Sequence, residues 1–281
     1  MLEVAFVAFW GAMAMYAAAT VLYAYHLATK RTALSWYATF ATGAGFLLHT
    51  ASIGLRSSAT DGTELTGANV LVLMAWALVF VYFVLEHLMK LKVYGVVLVP
   101  AALGAMLIAQ LMGASTSALA EVSAENAALL DSWRVGIHVA LIAFGNAGFI
   151  IGAAGSAAYL VMERQLKSRK PGKLFSRLPS LAQTDRVASR ATLWAFPAYS
   201  AALLLGVLRA IETDVQGWWQ DPRVMLAGIV WVVFGVYLFL HLVRGWKGRS
   251  VAYISIAGFV LVAALAVVAR TVPIGFHVFG L

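Results

Sequence analysis

Six histidines, His26, His49, His87, His138, His241 and His277, stand in or beside long apolar runs of this 281-residue chain. An ionisable group is costly inside hydrocarbon, so each one is a candidate for function. His138 follows Asp131 by seven residues, which is about 10 Å along a helix. His277 follows Pro273 and Gly275, where the last apolar run is interrupted. Between the two histidines lies Glu212-Thr213-Asp214-Val215-Gln216-Gly217-Trp218-Trp219-Gln220-Asp221-Pro222-Arg223, with adjacent indoles. Two imidazoles flanking a planar aromatic shelf suit axial ligation of a porphyrin iron, with Trp218 and Trp219 stacking on the macrocycle. Arg134, Arg223 and Arg270 supply cations for its propionates through charge-assisted bonds. The plainer alternatives are a hydrogen-bonded interfacial imidazole and a tryptophan anchor at the headgroups.

His26, His87 and His241 each precede a basic residue by about one helical turn, Lys30, Lys90 and Arg244. They read either as interfacial packing or as a second haem or proton site. His49 stands in the second apolar run and could be a ligand, a spectator or part of a relay. Zinc is disfavoured, because no His-x3-His pair with a general-base carboxylate occurs. Nucleotide chemistry lacks its phosphate-binding glycine loop. With no cysteine there is no disulfide and no thioether attachment within the chain.

The elements that must hold these residues are membrane helices. The chain is 62% hydrophobic and 11% charged, and its mean hydropathy is +0.87, so its solvent is largely lipid. Apolar runs extend over about 4–28, 34–55, 68–89, 93–112, 133–162, 191–211, 224–243 and 251–270, each near the ~20 residues that a crossing needs. They lack period-2 alternation, and lipid demands that backbone polar groups be satisfied within each segment. The expected fold is an all-α integral membrane protein, a bundle of about eight transmembrane helices forming one domain over 1–281. The first run ends in Lys30-Arg31 and reads as an uncleaved helix.

Charge orients the chain. Fifteen of its 20 basic residues fall at 29–33, 90–92, 163–190 and 244–250, and nine of its 12 acids fall on the other side, a split of +12 against −4. The positive-inside rule then places both termini outside, His138, the tryptophan loop and His277 at the outer face, and His241 near the cytoplasm. The expected location is the plasma (inner) membrane. The net charge of +8 therefore answers to membrane lipids and not to nucleic acid. The basic segment Glu163–Arg190, with Pro171-Gly172 and Pro179 as breakers, reads as an anchor on anionic lipid or a docking site. The stretch Gly113–Ser132 reads as interfacial. Gly145, Gly148, Gly152 and Gly155 mark close helix packing.

Taken together, these residues resemble the cytochrome c assembly family, the haem-handling membrane proteins of the CcsA and HemX type. The resemblance rests on Gly45-Phe46-Leu47-Leu48-His49-Thr50, Leu85-Glu86 through Val93, and Asp131-Ser132-Trp133 leading to His138. It is strongest from Asp221-Pro222-Arg223 through Tyr237, His241 and Arg244-Gly245-Trp246-Lys247-Gly248 to Gly258-Phe259 and His277. The resemblance implies that His138 and His277 ligate haem b at the outer face, with Trp218, Trp219, Asp221 and Arg223 in the signature loop. It associates His241 with a transmembrane haem site, and His49 is kept as a further cofactor-binding candidate. It also implies haem delivery in cytochrome c biogenesis, a place in a haem lyase or synthase system, and two partners, apocytochrome c and a CcsB/ResB-like membrane protein. The family loop reads Trp-Gly-x-x-Trp-x-Trp-Asp-Pro-Lys-Glu. With Asp221-Pro222 aligned, Asp214, Val215, Trp218 and Gln220 occupy the first Trp, the Gly and the two later Trp positions, and Val224 replaces the acid. Two alternatives therefore stay open: a non-catalytic HemX-like regulator of tetrapyrrole synthesis, and a structural subunit of a membrane complex.

Overall fold

Apolar segments that cannot offer their backbone to water close their hydrogen bonds internally, and the chain is accordingly helical. The computed structural model describes residues 1–29, 31–59, 69–89, 92–113, 132–168 and 180–271. Among these residues the long helices are α1 (Leu2–Thr29), α2 (Thr32–Ser57), α3 (Asn69–Met89), α4 (Gly95–Leu111), α5 (Trp133–Lys167), α6 (Leu181–Glu212), α7 (Pro222–Leu238) and α8 (Arg249–Thr271). Five of the helical segments, α1, α3, α5, α6 and the run from Pro222 to Val243, are long and apolar enough to cross a membrane; α4 and α8 contribute shorter apolar stretches. The protein is an all-α, multi-pass membrane protein. Residues 114–131 of the expected interfacial stretch lie outside the described residues, as do 169–179 of the basic segment and 272–281 with His277.

The helices cluster into two compact units, α1–α4 and α5–α8. In the first, α1 packs chiefly on α2 and also on α4, and α3 pairs with α4. Its interior is unusually rich in tyrosine: Tyr16, Tyr23 and Tyr82 are fully buried. Gly45 of α2 makes room for Tyr16, since a methyl there would lie 2.8 Å from the ring.

In the second unit α5 and α6 form the dominant pair. They run for 35 and 32 residues, about 50 Å each at 1.5 Å per residue, well beyond a hydrocarbon core of ~30 Å. The excess is polar. α6 begins ten residues before its apolar run, at a capping box in which Gln183 N donates to Ser180 Oγ (3.3 Å) and Ser180 N donates to Gln183 Oε1 (3.0 Å). Arg186 and Arg190 thus sit on helix although they belong to the basic segment between two apolar runs, because charge ends a membrane span without ending a helix.

Between α5 and α6 the glycine stripe admits close approach. Methyls added to Gly145, Gly148 and Gly152 would lie 2.9 Å from Tyr199 Cβ, 2.6 Å from Ala195 Cβ and 2.6 Å from Thr192 Oγ1. Gly155 faces Ala188 in the same way. In lipid, where apolar burial drives little association, such contact packing holds helices together. α7 and α8 complete the unit around Phe149 and Phe234, whose rings stack at 3.6 Å and 3°.

Candidate functional site

α5 and α7 begin, and α6 ends, at one end of the second unit; the other, basic end carries Arg164, Lys167, Arg186, Arg190, Arg244, Lys247 and Arg249. His138 belongs to the opposite end. Ser132 caps α5 there, its Oγ accepting from Arg134 N at 3.3 Å. Arg134 forms an ion pair with Glu212, the last residue of α6, and lies over the Trp133 ring at 5.6 Å. The next turn of α5 brings His138 against α6, continuing the face that holds the glycine stripe.

His138 Nδ1 lies 2.7 Å from the carbonyl oxygen of Ala202. A carbonyl only accepts, so Nδ1 carries the proton and Nε2 is the lone-pair nitrogen. A hydrogen bond from the far ring nitrogen to a carbonyl is what orients metal-binding histidines and raises their basicity. The ring edge lies over Gly206, where a methyl would be 2.8 Å from Cε1 and 3.1 Å from Nδ1.

The tryptophan loop starts directly from the α6 residue that pairs with Arg134. Asp214 (φ 50) and Gly217 (φ 70) turn the backbone through left-handed conformations, and Trp218–Gln220 form a single 3-10 turn. The indoles are edge-to-face, centroids 5.9 Å apart and planes 83° from parallel. At most one of them can therefore lie flat on a given macrocycle. Trp219 is 57% exposed. Asp221 is buried and caps α7, its carboxylate accepting from Arg223 N at 2.8 Å, with Pro222 preset in the first helical position. Arg223 is itself buried at 8%. The side chain of Arg270 and all of His277 lie outside the described residues.

His241 stands at the basic end, within a π-helical turn Phe239–Val243. Trp246 N donates to Leu240 O at 2.9 Å, and Gly245 (φ 67) and Gly248 (φ 76) reverse the chain. This turn presents the Trp246 carbonyl to His241 Nδ1 at 3.0 Å, and the ring stacks on Tyr237 at 5.9 Å and 8°. His241 therefore holds the same tautomer as His138, with Nε2 as the lone-pair nitrogen.

The first unit holds the remaining histidines. His49 is fully buried, with Nδ1 3.4 Å from Tyr16 Oη and the rings edge-to-face at 5.9 Å. Its Nε2 has no hydrogen bond of good geometry among the described residues, although the Val72 backbone acts on the ring. His26 Nδ1 donates to Arg31 O at 2.8 Å and ties α1 to α2; His87 is exposed at the end of α3. One cluster was missed by reasoning on sequence. Tyr23 and Tyr82 hydroxyls are 2.6 Å apart, Tyr23 Oη is 3.2 Å from Thr39 Oγ1, and Thr39 donates to Glu86 at 3.4 Å. Lys92 lies 3.9 Å from Glu86 and 3.3 Å over the Trp36 ring. The available signal was Glu86 itself, a carboxylate at the end of an apolar run.

The family model described as "Cytochrome C assembly protein" matches residues 65–277. That range includes His138, the tryptophan loop, His241 and His277, and leaves out His49. The cytochrome c biogenesis protein CcsA of Synechococcus sp. (strain CC9902) is 28% identical over 231 residues, covering 75% of each chain. The protein of the same name from Microcystis aeruginosa (strain NIES-843 / IAM M-2473) is 26% identical over 254 residues, covering 75% of this chain and 76% of its own.

Proposed function

Because this chain belongs to the cytochrome c assembly protein family, we propose that it binds haem b and delivers it for cytochrome c biogenesis at the membrane face remote from its basic end. The observation that carries this reading is His138, whose Nδ1–H is anchored on the Ala202 carbonyl so that Nε2 carries the lone pair. On this reading His138 and His277 would hold the haem iron. Bound there, haem would supply an iron that imidazole nitrogens can hold and vinyl groups that react with cysteine thiols. One of Trp218 and Trp219 provides the flat contact, and the other braces it edge-on. Asp221 acts indirectly, by capping the helix that carries Arg223. His241, with the same anchored tautomer, is the candidate ligand of a second site at the basic end.

The concentration of Lys and Arg supports a cytoplasmic position for the basic end and a plasma-membrane location. Apocytochrome c is then the recipient, and a CcsB/ResB-like membrane protein is the companion that this reading requires. The altered tryptophan signature favours a second reading, a non-catalytic HemX-like regulator that engages its partner through the basic segment.

Purification in mild detergent followed by an absorption spectrum and a pyridine haemochrome assay tests the proposal. A low-spin haem spectrum is expected, weakened by His138→Ala and by His277→Ala. Absence of haem after haem supplementation refutes haem handling and leaves the regulator. Unchanged low-spin spectra in both variants remove the ligand assignment.

A further inference from the structure

We infer that Gly206 is a positioning residue for the His138 ligand, an inference that rests on the haem-binding reading above. Along the α5–α6 contact, His138, Gly145, Gly148, Gly152 and Gly155 share one face of α5, spaced by three, four or seven residues. Opposite them on α6 run Ala188, Thr192, Ala195, Tyr199, Ala202 and Gly206, spaced alternately by four and three. Over most of this seam the glycine is on α5 and the side chain on α6. At His138 the order inverts: the side chain is on α5, and α6 supplies the space.

Glycine disfavours a helix interior, and Gly206 is not among the positive-φ positions of the described backbone, so no backbone conformation explains it. What explains it is the imidazole. An added methyl would stand 2.8 Å from Cε1, 3.1 Å from Nδ1 and 3.8 Å from Nε2. The ring cannot simply swing aside, because Nδ1 is held 2.7 Å from the Ala202 carbonyl, one turn earlier on the same helix. Relief of the clash must stretch or break that bond. Both functions of the cradle then fail together: Nε2 is re-aimed, and the tautomer that makes it the lone-pair nitrogen is no longer enforced. Loss of such outer support costs metal sites about 10- to 100-fold in affinity.

The test compares full-length wild type, Gly206→Ala, Gly145→Ala and His138→Ala in detergent, by haem titration and absorption spectrum. Gly206→Ala is expected to lose about 10- to 100-fold in haem affinity and the low-spin signature, with added imidazole expected to restore low-spin character both there and in His138→Ala. Gly145→Ala meets Tyr199 at 2.9 Å in the same seam; it should lower thermal stability and leave the haem spectrum unchanged. A wild-type spectrum and affinity in Gly206→Ala, or an equal spectral change in Gly145→Ala, overturns the inference. Should Gly206→Ala fail to fold, the His138→Ala/Gly206→Ala double variant decides. Without the ring there is no clash, so the double variant should fold and melt as His138→Ala does; if it does not, the inference is wrong. Absence of haem from wild type would instead refute the haem reading, and the stability comparison would still report on the contact.

Discussion

Gly245 and Gly248 shape the turn that presents the Trp246 carbonyl to His241, and replacing each by alanine should separate two energies. Both have left-handed backbones, φ 67 and φ 76, so a β-carbon costs about 1–2 kcal/mol at either. Their surroundings differ. Among the described residues nothing lies within 4 Å of a methyl on Gly245, whereas one on Gly248 would be 2.7 Å from Tyr159 Oη. Overpacking a close-packed core adds about 1–3 kcal/mol; Tyr159 is only partly buried and meets the methyl with the tip of its ring, so the lower end applies and Gly248→Ala should cost about 2–3 kcal/mol in all. Tyr159→Phe removes the oxygen that clashes and should recover most of the difference in the Gly248→Ala background. Gly245→Asn should be milder than Gly245→Ala, because asparagine tolerates this conformation. Thermal unfolding in mild detergent, followed by tryptophan fluorescence, ranks the four variants. Equal destabilisation by the two alanines, or no recovery by Tyr159→Phe, would refute the reasoning.

Removing the carboxylate that caps α7, in Asp221→Ala, should cost about 1 kcal/mol of stability and reduce haem retention only as far as it loosens the helix start; a spectrum lost without a lower melting temperature would give Asp221 a direct role. Because the indoles are nearly perpendicular, Trp218→Leu and Trp219→Leu should weaken haem binding unequally, and equal losses by titration would count against a single stacking face. Glu86 and Lys92 are largely shielded from solvent and hold each other at 3.9 Å. Removing one leaves the other unpaired in low dielectric, so Glu86→Gln and Lys92→Met should each lower the melting temperature more than the double variant does. A double variant less stable than either single one would contradict this.

Much of the architecture is legible in the sequence, because lipid imposes its rules on composition directly. A run of about 20 apolar residues has to be a helix, and the glycines of α5 announce close packing before any partner is known. His138, His241 and the tryptophan loop are visible for the same reason: polar and aromatic groups stand out against apolar runs. The start of α6 was less visible, since Arg186 and Arg190 end the membrane span while the Ser180–Gln183 capping box carries the helix past it.

Tertiary structure alone decided how those residues are held. Which nitrogen of His138 and His241 carries its proton depends on carbonyls 64 and five residues away, and backbone carbonyls look alike in every sequence. The angle between Trp218 and Trp219 is set by a turn with two left-handed residues, and their adjacency in the chain does not encode it. Asp221, read from sequence as part of a binding loop, has its carboxylate bonded to the Arg223 amide. Gly206, unremarked within an apolar helix, gains its meaning from the imidazole across the seam. Apolarity is a property of each residue and can be read one segment at a time; orientation, tautomer and clearance are properties of pairs, and exist only once the helices have met.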